Sequence, residues 1–280
     1  IRLSLVGSEM CIRDRSNVAI LRSRGYLVME PDHGRLTGKD VGVGRFPETS
    51  RILETFKAMT ESVHDLSGVK VLVTAGGTRE MIDPIRFIGN NSSGRQGYSL
   101  ARAAMKRGAE VTLILANSSL PDLEGVTVVR VGTADEMFAQ VSERFSSCNV
   151  LVMSAAVADA KPSQFSAEKI KKGSLSSIEL TPNKDIVATV SKEKIDQVVI
   201  AFAAETSLDI AEAERKMLSK SADILYLNDV SGSEIFGSDQ TQGVILISDS
   251  SGSIHREMIE RISKDTLADL LLDQALNKLG

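Results

Sequence analysis

VLVTAGGTREMIDPIRFIGNNSSGRQG, from Val71 to Gly97, is the stretch whose reading decides the fold. It opens inside a nearly continuous apolar run, VKVLVT from Val69, which fits a strand buried on both faces of a parallel sheet. Two glycine-containing turns follow, Gly76-Gly77 and Ser92-Ser93-Gly94, separated by an acid–proline corner at Asp83-Pro84. The second turn leads into SGRQGYSLARAAMKRGA, where Leu100, Ala101, Ala104 and Met105 recur at helical spacing and Gly108 closes the helix. A helix start has free backbone N–H groups, and with two hydroxyls beside it this one makes a site for phosphate. The fingerprint of a dinucleotide fold is absent, since the first turn reads GGTRE and not GxGxxG, and no GK[ST] ending marks a Walker loop. Gly76, Gly77 and Gly94 also fit the plainer role of closing tight turns.

Working outward, EVTLILA and GVTVVRV read as the next two strands. TADEMFAQVSERF reads as a helix with Thr133 as N-cap and Glu136 completing a capping box, and NVLVMSAAVAD as a fourth strand and the turn leaving it. LSSIELT is read as a strand, NKDIVATVSK as a short helix, QVVIAFAAE as a buried strand, SLDIAEAERKMLSK as a helix with Ile210, Ala213 and Met217 inward, and ADILYLND as a strand. TQGVILISDSSGSIHREMI reads as a hairpin turning at Ser250 to Ser253, and SKDTLADLLLDQALNKL as an apolar helix covering one face of the sheet. The order predicts an α/β fold: a Rossmann-like, doubly wound, mostly parallel sheet with helices on both faces and a C-terminal antiparallel hairpin.

Upstream the pattern is weaker. SNVAILRSRG reads as a helix from Ser16 to Gly25, YLVM as a short strand, EPDHGRLTGKDVGVGRFPE as a long glycine-rich loop, and PETSRILETFKAM as a helix opened by Pro47. HDLSG, His64 to Gly68, is the best domain boundary. Residues 1–15 are expected to be a non-native leader, 16–64 a separate fragment with a linker, and 65–280 the main domain. The 280 residues carry a formal charge of −4, which argues against a large nucleic-acid surface. No apolar run reaches the length of a membrane span. Cys11 and Cys148 make no disulfide framework, and three scattered histidines make no metal constellation. A cytoplasmic enzyme fits these traits.

Polar or small residues cluster where strands end. Glu80, Asp83 and Arg86 flank the proline corner. Ser154, Ala155 and Ala156 would let a flat ligand lie against backbone, and Asp159 follows. Lys169, Lys171 and Lys172 could offset the charge of a triphosphate, although a solvated charged loop reads the same way. FAAET, from Phe202, and NDVSGSEIFGSD, from Asn228, follow buried strands. Open α/β sheets bind ligands at such strand ends.

VTAGGTREMIDPIRFIGNNSSGRQG, SAAVADAKP, KIKK, FAAET and NDVSGSEIFGSD together resemble the phosphopantothenoylcysteine synthetase domain, over about residues 69–276. In bacteria that domain is usually fused behind a flavin-dependent phosphopantothenoylcysteine decarboxylase, whose C-terminal tail residues 16 to about 60 resemble. The resemblance implies a ligase of coenzyme A synthesis. The carboxylate of 4'-phosphopantothenate attacks the α phosphate of CTP and releases diphosphate. The amine of L-cysteine then attacks the acyl cytidylate and releases CMP.

The resemblance also implies roles. Asn90 contacts the activated acyl group, and Lys169 on a flap stabilises acyl cytidylate formation. Arg86 holds the substrate phosphate and reaches across a homodimer, with Ala156 also at the substrate. Asp159 and the backbone of Ala155 to Ala158 read the cytidine end. Lys172 and Asp185 serve the triphosphate and its Mg2+, with Asp185 as metal ligand. Gly76, Gly77, Ser92, Ser93, Gly94 and Phe202 complete the nucleotide site. Departures from the family pattern are Gly89 and Asn91 around Asn90, Arg95-Gln96, and Thr241 in place of a frequent asparagine. FMN is implied only for the decarboxylase part, and no decarboxylation is expected from this chain alone. Two other readings stand beside this one: a dinucleotide-binding oxidoreductase, and an inactive remnant that only dimerises.

Overall fold

The computed structural model describes residues 16–22, 24, 26, 28–35, 41–60, 64–173, 176–231, 238–249 and 251–280. The expected leader lies outside them, as do GSEIFG (232–237) and the turn residue Ser250. Contacts divide the chain between residues 62 and 63 into two compact units.

The smaller unit holds a short helix over residues 16–22 (α1), a hairpin of β1 (Asp32–Arg35) and β2 (Val41–Arg45), and helix α2 (Thr49–Thr60). The hairpin corrects the reading of this stretch as loop. Its Asp32-His33-Gly34-Arg35 and Val41-Gly42-Val43-Gly44-Arg45 strands pair antiparallel despite three glycines, because backbone hydrogen bonds set a ladder that side-chain pattern does not announce. Tyr26, Val28 and Met29 are not in a strand.

The larger unit is built on one sheet of eight strands: β3 (Lys70–Gly76), β6 (Glu110–Ala116), β7 (Thr127–Val131), β8 (Val150–Met153), β11 (Val198–Glu205), β12 (Ile224–Asp229), β13 (Gln240–Ser248) and β14 (Ile254–Ser263). Their order is β14-β13-β12-β11-β8-β3-β6-β7. The six strands from β7 to β12 run parallel, and β13 and β14 are antiparallel additions. The chain starts at β3, winds outward to β7, returns to β8 on the other side of β3, and winds outward again. Two small antiparallel pairs stand apart: β4 (Arg79–Met81) with β5 (Phe87–Gly89), and β9 (Ala160–Pro162) with β10 (Leu180–Pro182). LSSIELT therefore contributes only its last residues, in β10, and to a satellite pair, not to the sheet.

The continuous apolar strands serve two cores. Val71, Val73 and Ala75 of β3 face one core with Val150, Val152, Val198 and Ile200, where α3 (Arg95–Lys106) and α7 (Lys264–Leu279) pack through Leu100, Ala104, Leu267 and Leu271. Leu72, Leu151 and Val199 face the other, filled by Met137 and Phe145 of α4 (Ala134–Phe145), Ile186 and Val190 of α5 (Ile186–Val190), and Met217 of α6 (Ile210–Ser219). Successive strand residues point to opposite faces, so a sheet covered on both sides needs apolar residues at every position. The caps follow the sequence: Thr133 accepts from the Glu136 amide at 3.2 Å, while Glu136 reaches back to the amide of Gly132 at 2.6 Å.

α3 approaches the sheet closely at Gly97. A Cβ there would lie 2.4 Å from Ser154 Oγ, 2.6 Å from Ala75 Cβ and 2.7 Å from the Thr74 carbonyl oxygen. Gly97→Ala is expected to destabilise the larger unit by about 1–3 kcal/mol through overpacking. A lower denaturation midpoint at unchanged m-value checks it, and an unshifted midpoint contradicts it.

Candidate functional site

Reversal of winding leaves a crevice between the carboxyl ends of β3 and β8, the place where an open sheet admits a ligand. Backbone bonds stitch these two ends together. The Ala156 amide donates to the Gly76 carbonyl at 2.8 Å, and the Thr78 amide donates to the Ala156 carbonyl at 3.2 Å. The hydroxyl of Thr74 accepts from the Ala155 amide at 3.2 Å, and that of Thr78 from the Ala158 amide at 2.9 Å. The Val157 amide donates to the Ala155 carbonyl. All four amides from Ala155 to Ala158 are thus engaged within the fold, so this turn offers a ligand carbonyl acceptors, not donors. Beside it Asn183 donates its amide to the Ala158 carbonyl at 2.8 Å, while its Oδ1 is buried with no partner. Asn183 Oδ1 and the second lone pairs of these carbonyls suit an exocyclic amino group.

A cleft of about 730 Å³ extends from this end, within the usual size of small-ligand sites. On one wall α3 begins at Gly94, whose φ of 79° is left-handed; its first turn has no side-chain cap and no acidic residue. The helix dipole is uncompensated there, which favours an anion. Ser92, Ser93 and Gly94 line this wall. Lys216 of α6 and Lys220 at its C-cap, one turn apart, also line the cleft. Lys216 pairs with Glu205 at 2.5 Å, which raises its pKa, and Lys220 pairs with Asp185 at 3.2 Å. Asp185 also caps α5, its Oδ1 accepting from the Ala188 amide at 3.0 Å. At the far end Phe202 packs edge-on against Tyr226, centroids 5.7 Å apart. Burial pushes the Tyr226 phenol up to about 12. The phenol bonds Thr241 Oγ1 at 2.8 Å, and Thr241 donates to Asn228 Oδ1 at 2.9 Å, so the residue that departs from the family pattern completes a buried network. Lys264 lines the same end, its pKa lowered by burial.

Of the residues singled out from sequence, Asn90, Ser92, Ser93, Gly94, Ala155, Ala156, Ala158, Asp159, Asp185 and Phe202 line this one cleft. Asn90 donates its amide to the Val157 carbonyl at 3.1 Å, bridging the two strand ends. Gly76 and Gly77 lie behind the lining. A Cβ on Gly76 would sit 1.9 Å from the Ala116 carbonyl oxygen, and one on Gly77 2.7 Å from that of Asn90, so these glycines serve close backbone approach. Lys169 and Lys172 are exposed on the segment joining β9 to β10 and are not among the lining residues. Arg86 is also outside the lining. Its guanidinium is held by Asp83, and it donates to the Ile170 carbonyl at 2.9 Å. Cys148 is buried, its thiol pushed up to about 12 by desolvation, and is inert.

Residues 66–279 match the model of the DNA/pantothenate metabolism flavoprotein C-terminal domain. The chain belongs to this family. Among curated relatives of this flavoprotein C-terminal domain, the coenzyme A biosynthesis bifunctional protein CoaBC of Mycolicibacterium smegmatis is 43% identical over 274 residues, covering 92% of this chain and 65% of the relative. That of Mycobacterium bovis is 43% identical over 281 residues, covering 94% of this chain and 66% of the relative. The chain thus spans somewhat less than two thirds of these relatives' length. A crystal structure of the C-terminal domain of CoaBC is 31% identical, with a TM-score of 0.63, over 77% of this chain and 98% of that one.

Sequence reasoning about this flavoprotein C-terminal domain missed Lys216 and Lys220, and Asn183 as well. The two lysines were legible as an i, i+4 pair on a helix whose inward face had been assigned, but AEAERKMLSK reads equally as an ordinary solvated face. Only the packing of α6 against β12 turns that pair toward the cleft. Lys216→Met and Lys220→Met are each expected to weaken binding of inorganic tripolyphosphate roughly tenfold, the effect of losing one charge-assisted contact. Titration calorimetry at two salt concentrations checks this. Unchanged affinity in both variants would move the anion site off α6.

Proposed function

We propose that this chain is a phosphopantothenate–cysteine ligase that uses CTP, a step of coenzyme A synthesis. The observation that carries the reading is the union, in one cleft, of an uncapped helix start at Ser92-Ser93-Gly94 and a strand-end turn offering only acceptors at Ala155 to Ala158. The first suits the phosphates of a nucleotide, and the second suits the amino group of its base. The CoaBC names of the relatives agree with it. The oxidoreductase reading has no comparable support, since α3 begins well beyond the first glycine turn, without the dinucleotide fingerprint.

On this reading the base lies against Ala155 to Ala158 with Asn183 Oδ1 accepting from its amino group, and Asp159 lies beside the sugar. The triphosphate lies between the start of α3 and the lysines of α6. A carboxylate oxygen of 4'-phosphopantothenate attacks the α phosphorus, and the bond to diphosphate breaks. Lys169 offsets the charge that develops on the phosphorus oxygens. The cysteine amine then attacks the acyl carbon, the bond to CMP breaks, and the ammonium proton passes to solvent. Asn90, anchored through Val157, donates its remaining amide proton to the acyl oxygen without adding charge. Mg2+ fits the hard oxygen donors of Asp185, and among the described residues no group of three His, Cys, Asp or Glu side chains could hold a metal. The ion would therefore ride on the phosphates, neutralising their charge.

We assign residues 65–280 to the synthetase domain and 16–64 to the C-terminal fragment of a decarboxylase domain and its linker. FMN belongs to the decarboxylase portion only. Ile85, Phe87 and Phe165 are exposed apolar side chains around the β4–β5 hairpin, which supports a homodimer through this face. Among the described residues no helix is long and apolar enough to cross a membrane, in keeping with work in the cytoplasm.

Diphosphate release assayed with 4'-phosphopantothenate and each nucleotide tests the reading. CTP is expected to support turnover, and ATP far less; equal turnover would remove the base-reading role of the Ala155 turn, and none with either would leave an inactive remnant. Asn90→Ala is expected to slow the cysteine step more than diphosphate release, so that acyl cytidylate accumulates in quenched mixtures read by mass spectrometry. Normal product formation with a lowered melting point would leave Asn90 as a structural bridge.

A further inference from the structure

A cluster outside the cleft accounts for the segment between β9 and β10. Asp83 is fully buried, and its carboxylate is enclosed by donors. Oδ1 accepts from the amides of Ile85 at 2.9 Å and Arg86 at 2.8 Å, closing the turn over Pro84. Oδ2 accepts from Arg86 Nε at 2.9 Å and Nη2 at 2.5 Å, and from the amide of Ile170 at 3.2 Å. Arg86 Nη2 also donates to the carbonyl of Ile170. The pair thus grips the Ile170 backbone from both sides, taking its N–H on the carboxylate and its C=O on the guanidinium. Ile170 is 84 residues from Arg86 in sequence and lies between Lys169 and Lys171, both exposed.

A charge sealed from water is costly unless paired, so Asp83 must be matched by a cation. Arg86 supplies it and holds the Asp83 carboxyl far below the ordinary carboxylate range. The turn itself needs only Oδ1. The second oxygen and the guanidinium are spent on a distant loop, which a corner of purely local purpose does not require. The loop is also tied to this hairpin by the Ser166 amide, which donates to the Ile82 carbonyl at 3.0 Å, and it closes on itself where the Ser163 amide donates to the Glu179 carbonyl at 2.9 Å. Without the grip on Ile170, the lysines would sit on a long connection free to sample many conformations.

We propose that Asp83 is a positioning residue of the reaction: acting through Arg86 and the backbone of Ile170, it fixes where Lys169 stands relative to the cleft. The proposal rests on the ligase reading, which gives Lys169 its work. It also gives Arg86 a task distinct from holding a substrate phosphate. The two tasks separate kinetically, because a lost phosphate contact raises KM for 4'-phosphopantothenate, whereas a misplaced lysine lowers kcat for diphosphate release.

Two measurements on the full chain test it. Trypsin cuts after Lys169, Lys171 and Lys172, at a rate set by how often the loop opens. Asp83→Asn keeps an acceptor for the turn but removes the charge that orients Arg86. It is expected to speed cleavage at these three bonds about tenfold, identified by mass spectrometry, with the sites elsewhere unchanged. It is also expected to lower kcat for diphosphate release by roughly ten- to a hundredfold, the scale of a misplaced group, with KM for both substrates unchanged. Ile170→Pro deletes the amide donor and leaves Asp83 and Arg86 intact, so it covers the case in which Asp83→Asn does not fold; it should give the same loss of kcat, with faster cleavage read after Lys171 and Lys172 only, because trypsin does not cut a lysine bond ahead of proline. Normal protection of the loop in a folded variant overturns the clamp. Faster cleavage with unchanged kcat overturns the positioning role, and a raised KM for 4'-phosphopantothenate alone reassigns the pair to the substrate phosphate. A wild-type chain that releases no diphosphate removes the ligase reading and the positioning role with it, while the trypsin pattern still decides whether Asp83 holds the loop.

Discussion

A hydrogen bond of 2.8 Å joins the Ala156 amide to the Gly76 carbonyl, and the rest of the site depends on it. It ties together the two strands between which the winding of the sheet reverses. Once the carboxyl ends of β3 and β8 are laced, with Thr74 and Thr78 adding their hydroxyls, the turn after β8 cannot drift from the start of α3. The lacing has steric conditions. Gly76 meets the Ala116 carbonyl, Gly77 that of Asn90, and Gly97 the side chain of Ser154. Three positions without a Cβ let strand, turn and helix close to backbone distance, and the cleft is the space left beside them.

The electrostatics of the cleft follow from the same closeness. The start of α3 carries no acidic residue and no cap, so its positive end faces the opening. The lysines of α6 are balanced by Glu205 and Asp185, which keeps the unliganded wall from being a concentrated positive patch. An anionic ligand can compete with those carboxylates for the lysines. The Asp83–Arg86 pair is of another kind. Its carboxylate is shielded and its pKa is depressed below the unfolded value, so its contribution to stability is present above the ordinary carboxylate range. That contribution is lost only as pH falls below that range toward the depressed value. The loop it grips is therefore held in the same way throughout neutral and mildly acidic conditions.

The sequence by itself determined the sheet and its two covered faces. Runs such as VLVTA and VVIAF are apolar at every position, which only a strand covered on both sides requires, and the glycine turns and capping residues mark where each element stops. Most of the cleft was also legible, because Asn90, the Ser92 to Gly94 turn and the Ala155 to Asp159 turn all lie at strand ends or helix starts, where fold type alone predicts ligands. The β1–β2 hairpin was not legible, since ladder bonds between glycine-rich segments leave no periodic side-chain pattern. Tertiary structure alone decided which distant groups meet. Lys216 and Lys220 look like any solvated helix pair until α6 is set against β12. The amides of Ala155, Ala156 and Ala158 look free until Thr74, Gly76 and Thr78 claim them. Arg86 looks like a free cation until Asp83, three residues before it, and Ile170, far along the chain, take its hydrogen bonds. Local pattern records the period of an element, whereas pairing across the sheet depends on three-dimensional closeness that no short window of sequence contains.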